Sequence, residues 1–325
     1  MILSKLLMSM SNNKNKLIYI YKICRPDYLI KQIFFFFGTF LGFCFAPNTE
    51  INYINFFLIL LSIVLASSAN YVLNEWCDRI PDSFHPVKKK RPIPLGKLQF
   101  IDVFATYFCL LTLVISILFK YEVILIIKII VFCILINGIL YNQLPFRFKD
   151  KVFLDVFSES INNPLRFMTG WLAVSYAYPP LTLILGVWLS GYFLMNCKRI
   201  NEIHTWQGSK KEMKKYRPSL IRYTENKLIL LSFILCLGAI SSITIFFSIY
   251  KIEFCLLIPL IILAMAQYLR ISFSNKDKII NNPNFIFSDK LISLSIGAFI
   301  IFSPILFKIE IPILRELFAK GFLPL

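Results

Sequence analysis

The chain has 325 residues, 57% hydrophobic and only 16% charged, with a formal charge of +17 and a mean hydropathy of +0.68. Soluble domains typically carry about 25% charged residues, so this composition excludes an ordinary soluble enzyme and makes the bilayer the solvent. No RNA- or DNA-binding motif accompanies the positive charge, which gives no support to a nucleic-acid partner.

Residues 1–28 read as a cytoplasmic N-terminal segment. Lys5 interrupts the first apolar run, and the polar stretch 11–16 shows no small-residue cleavage pattern, unlike a signal peptide. A membrane-crossing helix needs roughly 20 apolar residues. Candidate spans run over 29–46, 53–73, 100–119, 123–141, 152–174, 181–196, 228–250, 254–268 and 291–307. The expected fold is therefore an all-α polytopic membrane protein of about nine transmembrane helices. Residues 29–307 form its catalytic domain, and 308–325 form a short interfacial tail broken by Pro312 and Pro324.

Charge sets the expected topology. With the N-terminus in the cytoplasm, the inner segments 1–31, 74–98, 143–152, 198–227 and 270–290 hold 28 of the 35 lysines and arginines. The outer segments hold five, and Lys128 and Arg166 lie within spans. Basic residues gather on the cytoplasmic side of membrane proteins, so this asymmetry orients the chain in the inner (cytoplasmic) membrane. The outer connections 47–52, 120–122, 178–180 and 251–253 are minimal, whereas the loops 74–98 and 197–227 are long. Long loops beside minimal ones are usually functional, so the site is expected in a cytoplasm-facing cavity beneath those two. The eight cysteines form no C-x-x-C pair, and two histidines, His85 and His204, are too few for a histidine-based metal site.

The second span runs into the first charged segment. On a helix Tyr71, Asn74 and Asp78 share one face, with Glu75 beside them. Glu75, Asp78 and Asp82 place three carboxylates within eight residues. They repel one another unless a cation sits among them, and hard oxygen ligands suit Mg²⁺, or Mn²⁺ in its place, which also binds substrate phosphates. Lys88 and Arg91 just downstream are suited to hold the same phosphates directly. The plainer alternative is a solvated juxtamembrane charge cluster, but topology demands bases there and not spaced acids. Pro81 predicts that the helix ends near Ile80, leaving Asp82 on the loop.

The string N-E-x-x-D-x-x-x-D over Asn74, Glu75, Asp78 and Asp82, followed by H-P-x-K-x-x-R-P-I from His85 to Ile93, resembles the first signature of the UbiA superfamily of intramembrane prenyltransferases. That family uses N-D-x-x-D-x-x-x-D; here Glu75 replaces an aspartate. The resemblance implies a transmembrane bundle in which these acids bind Mg²⁺ and a diphosphate. Most members carry a second aspartate-rich string after the sixth span. Here Lys198, Arg199 and Glu202 stand instead, followed by R-x-x-L-x-x-Y from Arg217 to Tyr223.

That second pattern resembles the decaprenyl-phosphate phosphoribosyltransferase branch of the superfamily. Arg25-Pro26 with Lys31, then Tyr141, Lys149, Asp155, Arg166 and Gly170, agree with the same branch, although Tyr28, Gln32 and Ser83 depart from its usual residues. The resemblance implies transfer of 5-phosphoribose from phosphoribosyl diphosphate to a polyprenyl phosphate, as a step of cell-envelope biosynthesis. It assigns catalysis and metal binding to Asp78, Asp82 and Glu75. Substrate or phosphate contacts fall to Asn74, Lys31, Tyr71, His85, Lys88, Arg91, Tyr141, Arg166, Lys198, Arg199 and Glu202. Glu202 and Lys198 also suit an ordinary helix pair four residues apart. Asp155, Glu159, Asn162, Asn163 and Arg166 predict a fifth span that faces a cavity, since intramembrane ionisable residues avoid lipid. The alternatives are a prenyltransferase moving a polyprenyl group from its diphosphate to an aromatic, glycerol or other acceptor, and a transporter or lipid-binding membrane protein without catalysis. A transporter would place its site near mid-membrane, whereas these residues crowd toward the cytoplasmic helix ends. Polyprenyl length and oligomeric state are not encoded in these patterns.

Overall fold

The computed structural model describes residues 15–46, 51–206, 208–273 and 289–314, and among these the chain is helical with no strand. The expected tail beyond 314, most of the 47–52 connection and the basic stretch 274–288 lie outside the described residues, as do residues 1–14. Among the described residues, eight segments are long and apolar enough to cross a membrane. The first, Asn15–Phe45, ends in helix α1 (Ile33–Phe45) after a 3-10 turn at Pro26–Gln32. The others are α2 (Tyr53–Cys77), α3 (Phe100–Lys120), α4 (Leu125–Asn142), α6 (Leu181–His204), α9 (Glu225–Tyr250), Ile252–Ser272 with α10 (Ile258–Ser272), and α11 (Lys290–Lys308). Between α6 and α9 lie the short helices α7 (Lys210–Tyr216) and α8 (Pro218–Arg222).

The ninth expected span is α5, Leu154–Leu172. It is too polar to meet the same test, yet it packs between α1, α4 and α6, with Asp155, Asn163 and Arg166 buried. Its contact with α1 is made by glycine. A Cβ on Gly38 would strike the Phe167 carbonyl, and one on Gly170 would strike the carbonyl of Phe35. Small residues let membrane helices approach this closely, and Thr39 Oγ1 uses the proximity to donate to the Gly170 carbonyl at 3.1 Å. Phe35, Phe167 and Trp171 then close a core shared with α2, α4 and α9. Residues such as Phe57, Leu237 and Leu294 face outward, the expected pattern for helices solvated by acyl chains.

Two boundaries matter for function. Helix α6 runs to His204, eight residues past the expected end of its span at 196, so Lys198, Arg199 and Glu202 stand on a rigid helix rather than a loop. Helix α2 ends at Cys77 with Asp78 as its C-cap, slightly before the expected Ile80. The N-terminal segment is no detached arm where it is described. Ile23 is buried in a cluster with Val72, Ile93, Leu98 and Val103.

At one end of the bundle the three basic segments meet. Ser219 Oγ donates to the Lys149 carbonyl at 3.1 Å, the Phe153 amide donates to Tyr223 Oη at 2.8 Å, and Lys88 Nζ bonds Tyr216 Oη. At the other end Lys251 Nζ donates to the Ile309 carbonyl at 2.9 Å, and the Ile311 amide to Glu253 at 3.1 Å.

Candidate active site

The joined loops cap a cavity of about 230 Å³ enclosed by α1, α2, α4, α5 and α6. Helix α2 lines it with Asp78, Asn74, Tyr71, Asn70 and Ser67, the successive turns of one face. At 1.5 Å per residue, Ser67 lies about 16 Å deeper than Asp78 along that helix. Helix α5 contributes a parallel ladder of Glu159, Asn162, Asn163 and Arg166. Near the capped end stand Arg25, Lys88, Arg91 and Arg217, and Lys31 and Lys198 come in at the level of Glu159. Seven basic side chains thus line the cavity against two acidic ones, Asp78 and Glu159. Such a wall suits an anion of several charges.

The first motif is only partly gathered. Asp78 faces the cavity, 2.5 Å from Lys149 Nζ and 3.5 Å from Arg147 Nη2. Burial pushes its carboxyl up, but Lys149, Arg217 and Arg147 outweigh that and hold it below its ordinary value. Glu75 and Asp82 lie behind the wall instead. Glu75 pairs with Arg25 and stands 3.3 Å from Arg91, whose Nη1 also donates to Asp82 at 2.7 Å. The expected cluster of three acids around one ion is therefore absent. Among the described residues no three His, Cys, Asp or Glu side chains converge to hold a metal. The physical reason is that Arg25, Arg91 and Lys149 already neutralise them one by one.

His85, expected to contact substrate, does not line the cavity. Its Nδ1 accepts the Val87 and Lys88 amides at 3.1 and 3.2 Å, and its ring packs edge-on against Tyr216. Burial and neighbouring Lys88 push its pKa down to about 3, so the neutral imidazole serves as an acceptor that shapes the loop carrying Lys88.

The second motif divides. Lys198 faces the cavity, 3.4 Å from Glu159, which Lys31 approaches at 3.6 Å. Arg199 turns away and is buried among three carboxylates: Asp155 at 2.9 Å, Glu159 at 3.2 Å, and Glu202. Glu202 in turn accepts from Tyr216 Oη at 3.2 Å and lies 3.7 Å from Arg217. Arg199 and Glu202 were expected to meet phosphate. They instead fasten α6 to α5 and to the capping loop.

Arg25, Glu159 and Arg217 line the cavity without having been assigned as substrate contacts. Arg217 reaches Tyr141 Oη with Nη2 at 3.2 Å, while its buried Nη1 has no hydrogen-bond partner among the described residues. Deeper in, Asn70 Oδ1, Asn162 Oδ1, Asn163 Nδ2 and Arg166 Nε are buried and lack hydrogen-bond partners among the described residues. Each such group left unsatisfied costs about 1–3 kcal/mol. The sequence signal was the i, i+3, i+4, i+7 spacing of Glu159, Asn162, Asn163 and Arg166 within an apolar span, which marks a polar helix face.

The family model of the UbiA prenyltransferase family matches residues 35–287. The fold is similar to that of a UbiA homologue from Archaeoglobus fulgidus solved with GPP and Mg²⁺, at 18% identity and a TM-score of 0.66, over 90% of this chain and 100% of that one. The same homologue with DMAPP and Mg²⁺ gives 17% and 0.65, over 90% and 99%. The apo UbiA homologue from Aeropyrum pernix K1 gives 16% and 0.59, over 86% and 99%. No curated protein matches the sequence. The all-helical membrane bundle expected from sequence is borne out by these likenesses, and the match across 253 residues shows that the chain belongs to the UbiA prenyltransferase family.

Proposed function

We propose that this protein transfers 5-phosphoribose from phosphoribosyl diphosphate to a polyprenyl phosphate, releasing pyrophosphate. The observation that carries the reading is the polar complement of the cavity wall, seven cations and six carboxamides against two carboxylates. The second motif agrees, since its single acid is locked to Arg199 and offers no second metal cluster.

Mg²⁺ fits the donor set in a reduced form. It requires one or two carboxylates and accepts substrate phosphates and water for the rest. Asp78 and the Asn74 carboxamide, one helical turn apart on the cavity face, are the residues that would hold it. When bound, the ion neutralises charge on the leaving diphosphate. Glu75 and Asp82 act through Arg25 and Arg91, keeping those guanidiniums extended toward the same phosphates. Lys88 and Arg217 supply further positive charge where the leaving diphosphate develops negative charge, the main term expected of such a site. An oxygen of the polyprenyl phosphate attacks C1 of the ribose, and the bond from C1 to the diphosphate oxygen breaks. Because the acceptor is already anionic, no residue has to remove a proton. Lys31 and Lys198 orient that acceptor phosphate.

The active site faces the cytoplasm in this reading, on the strength of the 28 basic residues assigned to that side. In a cysteine-free background a cysteine at Ser209 should label from the cytoplasm and one at Tyr178 from outside; the reverse would invert the arrangement. The function is tested by supplying purified protein with each donor. Pyrophosphate should appear from phosphoribosyl diphosphate only when polyprenyl phosphate is present. A second reading, transfer of a prenyl group from its diphosphate, is favoured by the similar homologue that binds GPP and DMAPP. Robust prenylation of 4-hydroxybenzoate, with phosphoribosyl diphosphate ignored, would establish it instead.

A further inference from the structure

The inner half of the cavity has a chemistry of its own. Asn70, on α2, donates Nδ2 to the Ile134 carbonyl at 2.8 Å and leaves Oδ1 unpartnered among the described residues. Asn163 and Asn162, on α5, leave Nδ2 and Oδ1 in the same condition. Arg166, deeper still, uses Nη2 on Ser67 Oγ at 3.1 Å and keeps Nε unpartnered among the described residues. All four residues line the cavity. Two glycines admit the carboxamides. A Cβ on Gly138 would collide with Asn70, and one on Gly191 with Asn163. The chain thus gives up two side chains in its membrane core to seat these amides beside the cavity, Asn70 Oδ1 against Gly138 of α4 and Asn163 Nδ2 against Gly191 of α6. A small rotation of either amide would turn a polar atom toward a hydroxyl-bearing occupant.

From the capped end inward, the wall reads cations and Asp78, then carboxamides, then the Arg166 guanidinium, which also bonds Tyr71 and feels Glu159. A ligand matching that order has a diphosphate, then hydroxyls, then a second anion. We infer that Asn70, Asn162 and Asn163 form the hydroxyl-recognition subsite of the donor, with Arg166 receiving its 5-phosphate, so that the sugar enters phosphate-first and its diphosphate stays near Asp78. This inference rests on the phosphoribosyl reading above and adds the orientation of the donor and the residues that select it.

Two donor analogues test it, with pyrophosphate release as the readout: the 2-deoxy form and the form lacking the 5-phosphate. The unsubstituted protein should use each with kcat/KM lower by roughly ten- to hundred-fold, the effect of a buried polar group left unpaired. Arg166→Met should erase the preference for the 5-phosphate and keep that for the hydroxyl. Asn163→Leu should do the reverse, and the milder Asn162→Ala, whose side chain is less buried, should show the same direction. Equal use of all three donors by the unsubstituted protein overturns the subsite without needing any variant. So does a variant pattern in which both preferences fall together. Failure of the unsubstituted protein to use phosphoribosyl diphosphate at all would instead defeat the underlying function.

Discussion

The two charged segments look alike in sequence, each a helix end rich in acids and bases, yet the fold uses them in opposite ways. In the first, every carboxylate has its own cation, and those cations or the acid itself reach the cavity: Asp78 faces inward, and Glu75 and Asp82 hold Arg25 and Arg91 to the wall. In the second, one cation is surrounded by three carboxylates and sees no cavity. Arg199 is 1% exposed, whereas the Lys198 side chain beside it is 20% exposed. The difference teaches that charge type does not assign a role near a membrane surface; the number of opposite charges already around a group does.

The comparison is broken most sharply at Arg199. Arg199→Ala strands Asp155, Glu159 and Glu202, and removing one partner of a buried pair costs about 3–5 kcal/mol. The expected outcome is a large fall in melting temperature or loss of folded protein in detergent. A variant that melts normally and shows only a raised KM would return Arg199 to phosphate binding. Asp78→Asn, whose amide oxygen can still accept from Lys149, should leave the protein folded while kcat/KM falls by about a hundred-fold or more. EDTA should abolish turnover of the unsubstituted protein, and Mg²⁺ or Mn²⁺ should restore it. Full activity in chelator would remove the metal from the scheme.

Lys198→Ala sharpens the contrast within a single helix turn. Loss of a charge-assisted phosphate contact should lower kcat/KM roughly ten-fold at unchanged stability. An effect as severe as that of Arg199→Ala would mean that the two residues share one structural role. The smallest effect concerns pH. Burial, opposed by Asp82 and Glu202, brings the Lys88 ammonium down to about 7. Its folded value lies below its unfolded one, so between about 7 and the ordinary lysine value the unfolded chain binds the extra proton. Stability from this group therefore rises with pH across that window, while the charge available for phosphate is lost. The KM for the phosphorylated donor should climb severalfold above pH 7, and Lys88→Met should flatten that slope. An unchanged slope in the variant would assign the titration elsewhere.

Much of this was legible in the sequence. Apolar runs marked the spans, and the acids, amides and Arg166 on α5 marked a cavity-facing helix. Tyr71, Asn74 and Asp78 line the wall as their shared face predicts. What the sequence left open was helical phase against the rest of the bundle. Consecutive helical residues point about 100° apart, so Asn74 meets the cavity and Glu75 does not, and Lys198 meets it where Arg199 turns to α5. That phase is set by contacts such as Gly38 with Phe167, which no local pattern announces. The extension of α6 to His204 is not legible in the sequence for a related reason. Its last turns leave the apolar stretch, and partners on α5, α9, α10 and the capping loop hold them in place.

Glu159 gives the cavity a resident competitor. Lys31, Lys198 and Arg199 all stand within 3.6 Å of its carboxylate, so an arriving phosphate exchanges for a protein anion instead of meeting free cations. The net gain on binding is a difference between two similar attractions and is correspondingly modest. The same exchange runs backward when product leaves: the carboxylate is already in place to reclaim the lysines, so a phosphorylated product is let go rather than held.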